Sequence, residues 1–270
     1  MSDKWGFVMR KQLVILSAMV LVVFCGFTLA QGFGLKKKRP KPHEFADVVI
    51  DNYSSKGNLR APVVFKHWLH RAKYSCRLCH VDIGFAMQAG GTDITDEDNK
   101  RGLFCGTCHN GKIAFGQKSK AGKEDSTSCI RCHSYGEKVN FKNDFYEFQK
   151  NMPRERFGNG IDWQKAEEKK KIKIVDYLEG VSIKGLKMEK PAEFNLKPQE
   201  NNMPEIVFSH VKHTKWSGCE LCHPEIFGVR KGSMPYSMEE IFAGKYCGVC
   251  HGPVAFPNID CQRCHTKMVY

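Results

Sequence analysis

The sequence predicts a chain with little regular secondary structure, in which short β-hairpins and small helices form two tandem domains wrapped around covalently held groups in place of a large apolar core. Three observations predict it. Twelve of the thirteen cysteines fall in six copies of one pentapeptide. The stretch carrying the first three copies is echoed by the stretch carrying the last three. Hydrophobic periodicity is weak outside a few short runs, and Gly, Pro and Lys are frequent.

The six copies read Cys76-Arg77-Leu78-Cys79-His80, Cys105-Gly106-Thr107-Cys108-His109, Cys129-Ile130-Arg131-Cys132-His133, Cys219-Glu220-Leu221-Cys222-His223, Cys247-Gly248-Val249-Cys250-His251 and Cys261-Gln262-Arg263-Cys264-His265. Cys-x-x-Cys-His is the attachment signature of c-type haem. Its two thiols add across the haem vinyl groups, and the adjoining histidine sits under the iron as proximal ligand. The pattern therefore calls for six covalently attached haem c groups. Zinc sites are also built from paired Cys/His clusters, but they do not require a histidine after every second cysteine. A disulfide framework leaves the same histidine unexplained. A thioredoxin-like pair would occur once, beside a βαβ pattern.

The N-terminus agrees with this chemistry, because haem attachment of this type takes place outside the bacterial cytoplasm. Residues 13–30 form an apolar run behind Lys4, Arg10 and Lys11, the layout of a secretory signal, with Thr28-Leu29-Ala30 as a small-residue cleavage site. An uncleaved anchor over residues 13–35 is the alternative. The cluster Lys36-Lys37-Lys38-Arg39 on the translocated side suits neither reading well. Cys25 follows Phe24, too bulky for a lipoprotein cleavage site, and reads as an apolar filler of the run.

The formal charge of +13 shrinks on inspection. Losing residues 1–30 removes three basic side chains and one acidic, which leaves +11. Six ferric haems, each with two propionates, bring the total to about +5. The basic balance largely offsets the cofactors, so no nucleic-acid partner is expected. It leaves modest steering of acidic redox proteins.

Each element of the two domains then follows in order. Val64-Phe65-Lys66-His67-Trp68-Leu69-His70 opens the first unit and Val207-Phe208-Ser209-His210-Val211-Lys212-His213 the second. In both, the two histidines precede the first motif cysteine by nine and six positions. Ahead of each stands a strand-like run, at residues 48–53 and 194–197, so a short β-hairpin leads into each domain. Further on, Cys105-Gly106 with Ala114-Phe115 is matched by Cys247-Gly248 with Ala255-Phe256. Cys129 lies twenty positions after His109 but Cys261 only ten after His251, which makes residues 117–128 a surface insertion. Between Ser134 and Ser209 there is neither cysteine nor histidine. Helices are expected there at residues 143–152 and at 162–171, the second capped by Asp162, with Phe141, Phe145 and Phe148 packing on haem or core. The boundaries that follow are a signal peptide or membrane anchor at 1–30, a basic tail at 31–45, a three-haem domain at 46–139, a haem-free, partly helical spacer at 140–193, and a second three-haem domain at 194–270.

A six-coordinate haem needs a distal ligand as well. Outside the motifs stand His43, His67, His70, His210 and His213. Plain surface polarity would give no reason for the duplicated His-x-x-His spacing. Two histidines three apart can serve two neighbouring haems.

On these residues, each unit resembles a triheme cytochrome of the cytochrome c7 type, within the cytochrome c3 superfamily and most like its tandem-domain, nanowire-like multihaem forms. The resemblance spans about residues 46–134 and 194–266. It implies that the first histidine of Phe-x-His-x-x-His serves the first haem of its domain and the second serves the second haem. Carried over, His67 pairs with His80, His70 with His109, His210 with His223 and His213 with His251. Compact members supply the third distal ligand from a histidine before the second motif, which neither unit has. Tandem relatives use a methionine nine residues before that motif, and here this is Met238, pairing with His265; the alternative is a core methionine. In the first unit the same offset gives Asp96, a poor ligand. The His133 haem would then take Met87 or His43, borrow a ligand, or stay open.

The resemblance implies an electron-transfer protein of the periplasm, relaying electrons between redox partners through closely spaced, mostly bis-His haems in anaerobic respiration. The expected partners are cytochromes and membrane quinol-oxidising or outer-membrane complexes, with membrane contact only through the N-terminal anchor. A multihaem reductase with an open haem at His133, and a wiring subunit of a membrane redox complex, are the alternatives.

Overall fold

β-Branched and aromatic residues in short runs build two separate small sheets. The computed structural model describes residues 39–51, 61–116, 126–134, 144–184, 188–198 and 203–267. Contacts divide the chain into Met1–Arg39 and Pro40–Tyr270. The first unit falls almost wholly outside the described residues, and with it the signal or anchor at 13–35. Residues 117–125 of the expected insertion at 117–128, and Phe141, lie outside them too. Among the described residues, no helix is long and apolar enough to cross a membrane.

In the second unit, β1 (Asp47–Ile50) pairs antiparallel with β2 (Val63–Lys66), Val48 opposite Phe65. Its counterpart is β3 (Phe194–Leu196) on β4 (Glu205–Phe208), Phe194 opposite Phe208. Both hairpins lie where the sequence puts them. The second gains a third strand, β5 (His265–Lys267), on β4, so the chain closes back on the start of its own domain. β2 runs directly into α1 (His67–Arg71), and β4 leads through Ser209 into α6 (His210–Ser217).

Short capped helices fill the rest. α2 (Asp96–Lys100) and α7 (Met238–Phe242) precede the second motif of each domain, and each starts with a capping box, Thr95 with Asp98 and Ser237 with Glu240. α3 (Ser126–Cys132) and α8 (Cys261–Cys264) carry the third motifs. The two helices expected at 143–152 and 162–171 are α4 (Phe145–Lys150) and α5 (Trp163–Glu168). Asp144 caps the first through Tyr146 N and Glu147 N, and Asp162 caps the second through Lys165 N. Both are shorter than the apolar pattern suggests. α4 stops at Asn151, ahead of Pro153, and Lys170 takes a left-handed φ of 54° just beyond α5.

The stretch between the domains supplies most of the apolar core. Trp68 of α1 packs with Phe145, Ile161, Trp163, Ala166 and Ile172, and Phe148 and Trp216 lie against that cluster. Phe145 and Phe148 therefore belong to the core. Lys215 of α6 pairs with Glu167 of α5 at 2.5 Å. The segment touches both domains, and among the described residues the buried side chains outside it include Leu78, Leu221 and Ile241.

Candidate functional site

Every motif loop is shaped to present its histidine in one way. In the second motif of each domain the residue before the first cysteine is left-handed, Phe104 at φ 45° and Tyr246 at φ 51°. The next residue but one is glycine by necessity. A Cβ on Gly106 would lie 1.9 Å from Asn99 O, and one on Gly248 the same distance from Ile241 O. The loop thus packs flat on the end of α2 or α7.

All six motif histidines donate Nδ1–H to a backbone carbonyl: His80 to Phe85 (2.9 Å), His109 to Phe115 (3.1 Å), His133 to Ala61 (2.7 Å), His223 to Phe227 (2.8 Å), His251 to Phe256 (3.2 Å) and His265 to Pro204 (2.8 Å). Such a bond fixes the tautomer that leaves Nε2 bare for a metal. The Ala-Phe echo in the sequence is accounted for here, since its Phe carbonyls hold His109 and His251. Ala61 and Pro204, which hold the third-motif histidines, stand 143 residues apart, the same step that separates His67 from His210.

The His-x-x-His pairs are built likewise. His67 donates to Ala46 O (2.5 Å), His70 to Lys66 O (3.2 Å) and His213 to Ser209 O (2.9 Å). His210 departs from the rule, its Nδ1 buried without a partner among the described residues. The ring centres of His70 and His109 lie 6.3 Å apart with the planes inclined at 59°, and those of His213 and His251 lie 6.2 Å apart at 66°. An iron about 2 Å from each Nε2 would need ring centres about 6.3 Å apart, so both pairs fit a single metal between them. His67 lies within electrostatic reach of His80, and His210 within reach of His223. Burial pushes His70 and His251 down to about 4 and lowers His67, His80, His109, His210 and His213. These imidazoles are neutral at pH 7, the state a metal requires.

The twelve motif cysteines are free of disulfides. Burial pushes the thiols of Cys79 and Cys250 up to about 12 and those of Cys105 and Cys264 to about 11. Thiols held protonated are poor zinc ligands. Among the described residues, no three Cys, His, Asp or Glu side chains converge as a metal cluster. Two arginines inside the motifs repeat as well. Arg131 lies 3.6 Å from the ring centre of Phe115, and Arg263 lies 4.8 Å from that of Phe256. The signal was visible as arginine at the same place in the third and sixth motifs.

For the third haem of each domain the structure divides the candidates. Met238 is the first residue of α7 and 40% exposed, so it is no core methionine. Asp96 opens α2 at the equivalent place and pairs with Lys100 at 2.8 Å. Met87 is half-buried in the loop after the first motif. His43 is engaged at both ring nitrogens, with Tyr146 Oη at 3.0 Å and Glu44 at 3.5 Å, and ties the N-terminal tail to α4.

The family model for cytochrome c7 and related cytochrome c matches residues 63–134 and 206–266. The chain belongs to the cytochrome c7 family. Both matched stretches hold three attachment motifs, so its cofactor is haem c, covalently held at six places. The fold is that of this family, two tandem c7-type domains of short strands and small helices. Domains of this kind mark an electron-transfer protein. Among solved structures, the C-terminal hexahaem fragment of GSU1996 is 28% identical over 85% of this chain and 99% of that one, with a TM-score of 0.26. A c7-type three-haem cytochrome domain is 33% identical over 28% of this chain and 95% of its own length, with a TM-score of 0.27. At TM-scores this low the superpositions decide nothing; the matched motifs do. No curated protein matches the chain.

Proposed function

We propose that this cytochrome c7 protein is an exported six-haem relay that carries electrons between one-electron redox partners. The observation that carries the reading is the pairing of neutral, carbonyl-held histidines, His70 with His109 and His213 with His251, which would leave no open position on the second haem of each domain. When bound, haem supplies a reversible one-electron couple at its iron.

The chain does the rest. Cys76 and Cys79, Cys105 and Cys108, Cys129 and Cys132, Cys219 and Cys222, Cys247 and Cys250, and Cys261 and Cys264 tether the six groups. His80, His109, His133, His223, His251 and His265 are the proximal ligands. His67, His70, His210 and His213 are the distal ligands of His80, His109, His223 and His251 respectively, and Met238 serves the His265 haem. Methionine in place of histidine raises the potential, so that haem stands above a low-potential majority. The apolar run at 13–30, with its basic flank, supports export to the periplasm, with retention at the inner membrane if residues 13–35 stay attached. The partners suited to a moderately basic surface are acidic cytochromes and quinol-oxidising or outer-membrane complexes of anaerobic respiration.

One observation favours a second reading at a single haem. Asp96 is paired with Lys100 where the other domain has Met238, which would leave the His133 iron open to a small oxidised nitrogen or sulfur compound. Anaerobic reductive titration with visible spectroscopy separates the two. The relay takes up six electrons per chain reversibly, with a wholly low-spin spectrum. A high-spin ferrous haem that binds carbon monoxide, with turnover of nitrite or hydroxylamine, would overturn it in favour of a reductase.

A further inference from the structure

We infer that electrons cross between the two domains at one junction, between the haem on Cys76–His80 and the haem on Cys219–His223, and that Arg77 and Glu220 are the residues positioning it. The inference rests on the relay reading and names the internal path it would use.

Arg77 and Glu220 hold the same place in the repeat, the first residue between the cysteines of each domain's opening motif. Arg77 Nε lies 3.5 Å from Glu220 Oε2, so the two attachment loops touch. The backbone is cut to the contact: a Cβ on Gly218 would stand 2.5 Å from Arg77 Cδ and 2.8 Å from Glu220 Oε2. Leu78 and Leu221, the next residue of each motif, are both buried. Arg77 is held from three further directions. Its Nη1 reaches Asp82 at 3.0 Å and Asp176 O at 3.3 Å, and its Nη2 reaches Ile183 O at 3.3 Å.

A second cation reinforces the seam. The Arg71 guanidinium lies between the rings of Trp163 and Trp216, at 4.9 and 5.3 Å, and donates at 2.8 Å to Val254 O in the loop after the fifth motif, which makes that motif the rival neighbour. The ion pair joins the first motif to the fourth.

Each crossing moves one electron. One iron is oxidised from ferrous to ferric as the other is reduced from ferric to ferrous, with no bond made and no proton transferred. Reduction adds negative charge, so the cation at Arg77 favours it and the anion at Glu220 opposes it.

The test is stepwise reduction of the intact six-haem protein, followed by NMR of each haem's methyl signals. Reduction of the His80 haem is expected to lower the midpoint of the His223 haem more than that of any other second-domain haem. Arg77→Glu should lower both midpoints and leave the His133 and His265 haems unmoved; adding Glu220→Arg should reverse the shift, and Arg77→Lys should preserve the wild-type values. Should Arg77→Glu fail to mature, Glu220→Gln reads the same junction by raising both midpoints together. The junction is overturned by strongest coupling to His251 or His265, or by a charge change that moves all six haems alike. Six reversible steps with a different coupling map would remove it while the relay stands; fewer than six haems would strike the relay itself.

Discussion

A histidine ligand is positioned by whatever holds its other nitrogen, and in this chain a backbone carbonyl does so for nine of the ten histidines proposed as ligands. His210 is the exception, buried at Nδ1 without a partner among the described residues. Met238 is the residue whose role is most open to direct measurement: Met238→Ala should remove the highest-potential component of a potentiometric titration and leave the lower ones in place, and an unchanged component would withdraw the assignment. Glycine at 248 is a steric demand. Gly248→Ala sets a methyl against Ile241 O and should cost more than about 3 kcal/mol, read as lost haem incorporation or a lowered Tm; Gly106→Ala should behave alike. Asp47 gives a pH signature. Burial pushes its carboxyl up to about 6, against the partial relief of Lys66. The folded state then binds the proton more tightly than the unfolded one, so stability is full below about pH 4 and falls as pH rises through 6. Asp47→Asn should flatten that part of the Tm profile and raise Tm at pH 7; an unchanged profile would contradict it. At this scale the sequence named the candidate ligand histidines, because the motif and its duplication single them out. The carbonyls that hold them could not be read in advance, since any residue has a carbonyl and only the fold selects Ala46, Ala61 or Pro204. His43 read equally well as a ligand or as an ordinary surface histidine, and its bond to Tyr146 comes from the fold alone.

Helices and hairpins were legible where caps and alternation coincided. Asp162 and the two hairpins ahead of His-x-x-His stood out because side-chain chemistry there is local. Helix lengths were not, since α4 and α5 end where Pro153 and the left-handed Lys170 stop them. What local signals miss is the second use of a residue. Asp162 caps α5 and also receives Arg263 of the sixth motif at 3.2 Å, while Glu155 pairs with the same guanidinium. Asp162→Ala should therefore destabilise by about 1–3 kcal/mol, beyond the loss of a cap alone. Restriction of the loss to a simple capping value, with no change in the environment of the His265 haem, would show that the two roles are independent.

For the whole molecule, composition suggested two domains joined by a haem-free linker, and contacts put Pro40–Tyr270 in one unit whose apolar core is built largely from that linker. Pattern reading treats a stretch without motifs as a connection. Trp68, Trp163 and Trp216 come from three separate stretches, and nothing local announces that they meet. Six haems in a single array is the claim on which ligand pairing, seam and function all depend. The measurement that tests it most directly is the intact mass of the denatured protein after expression with a haem-maturation system. The expected mass is that of the polypeptide plus six haems, with or without residues 1–30. A mass short by one or more haems would contradict it, and would mean that a motif paired here with its ligands is not an attachment site.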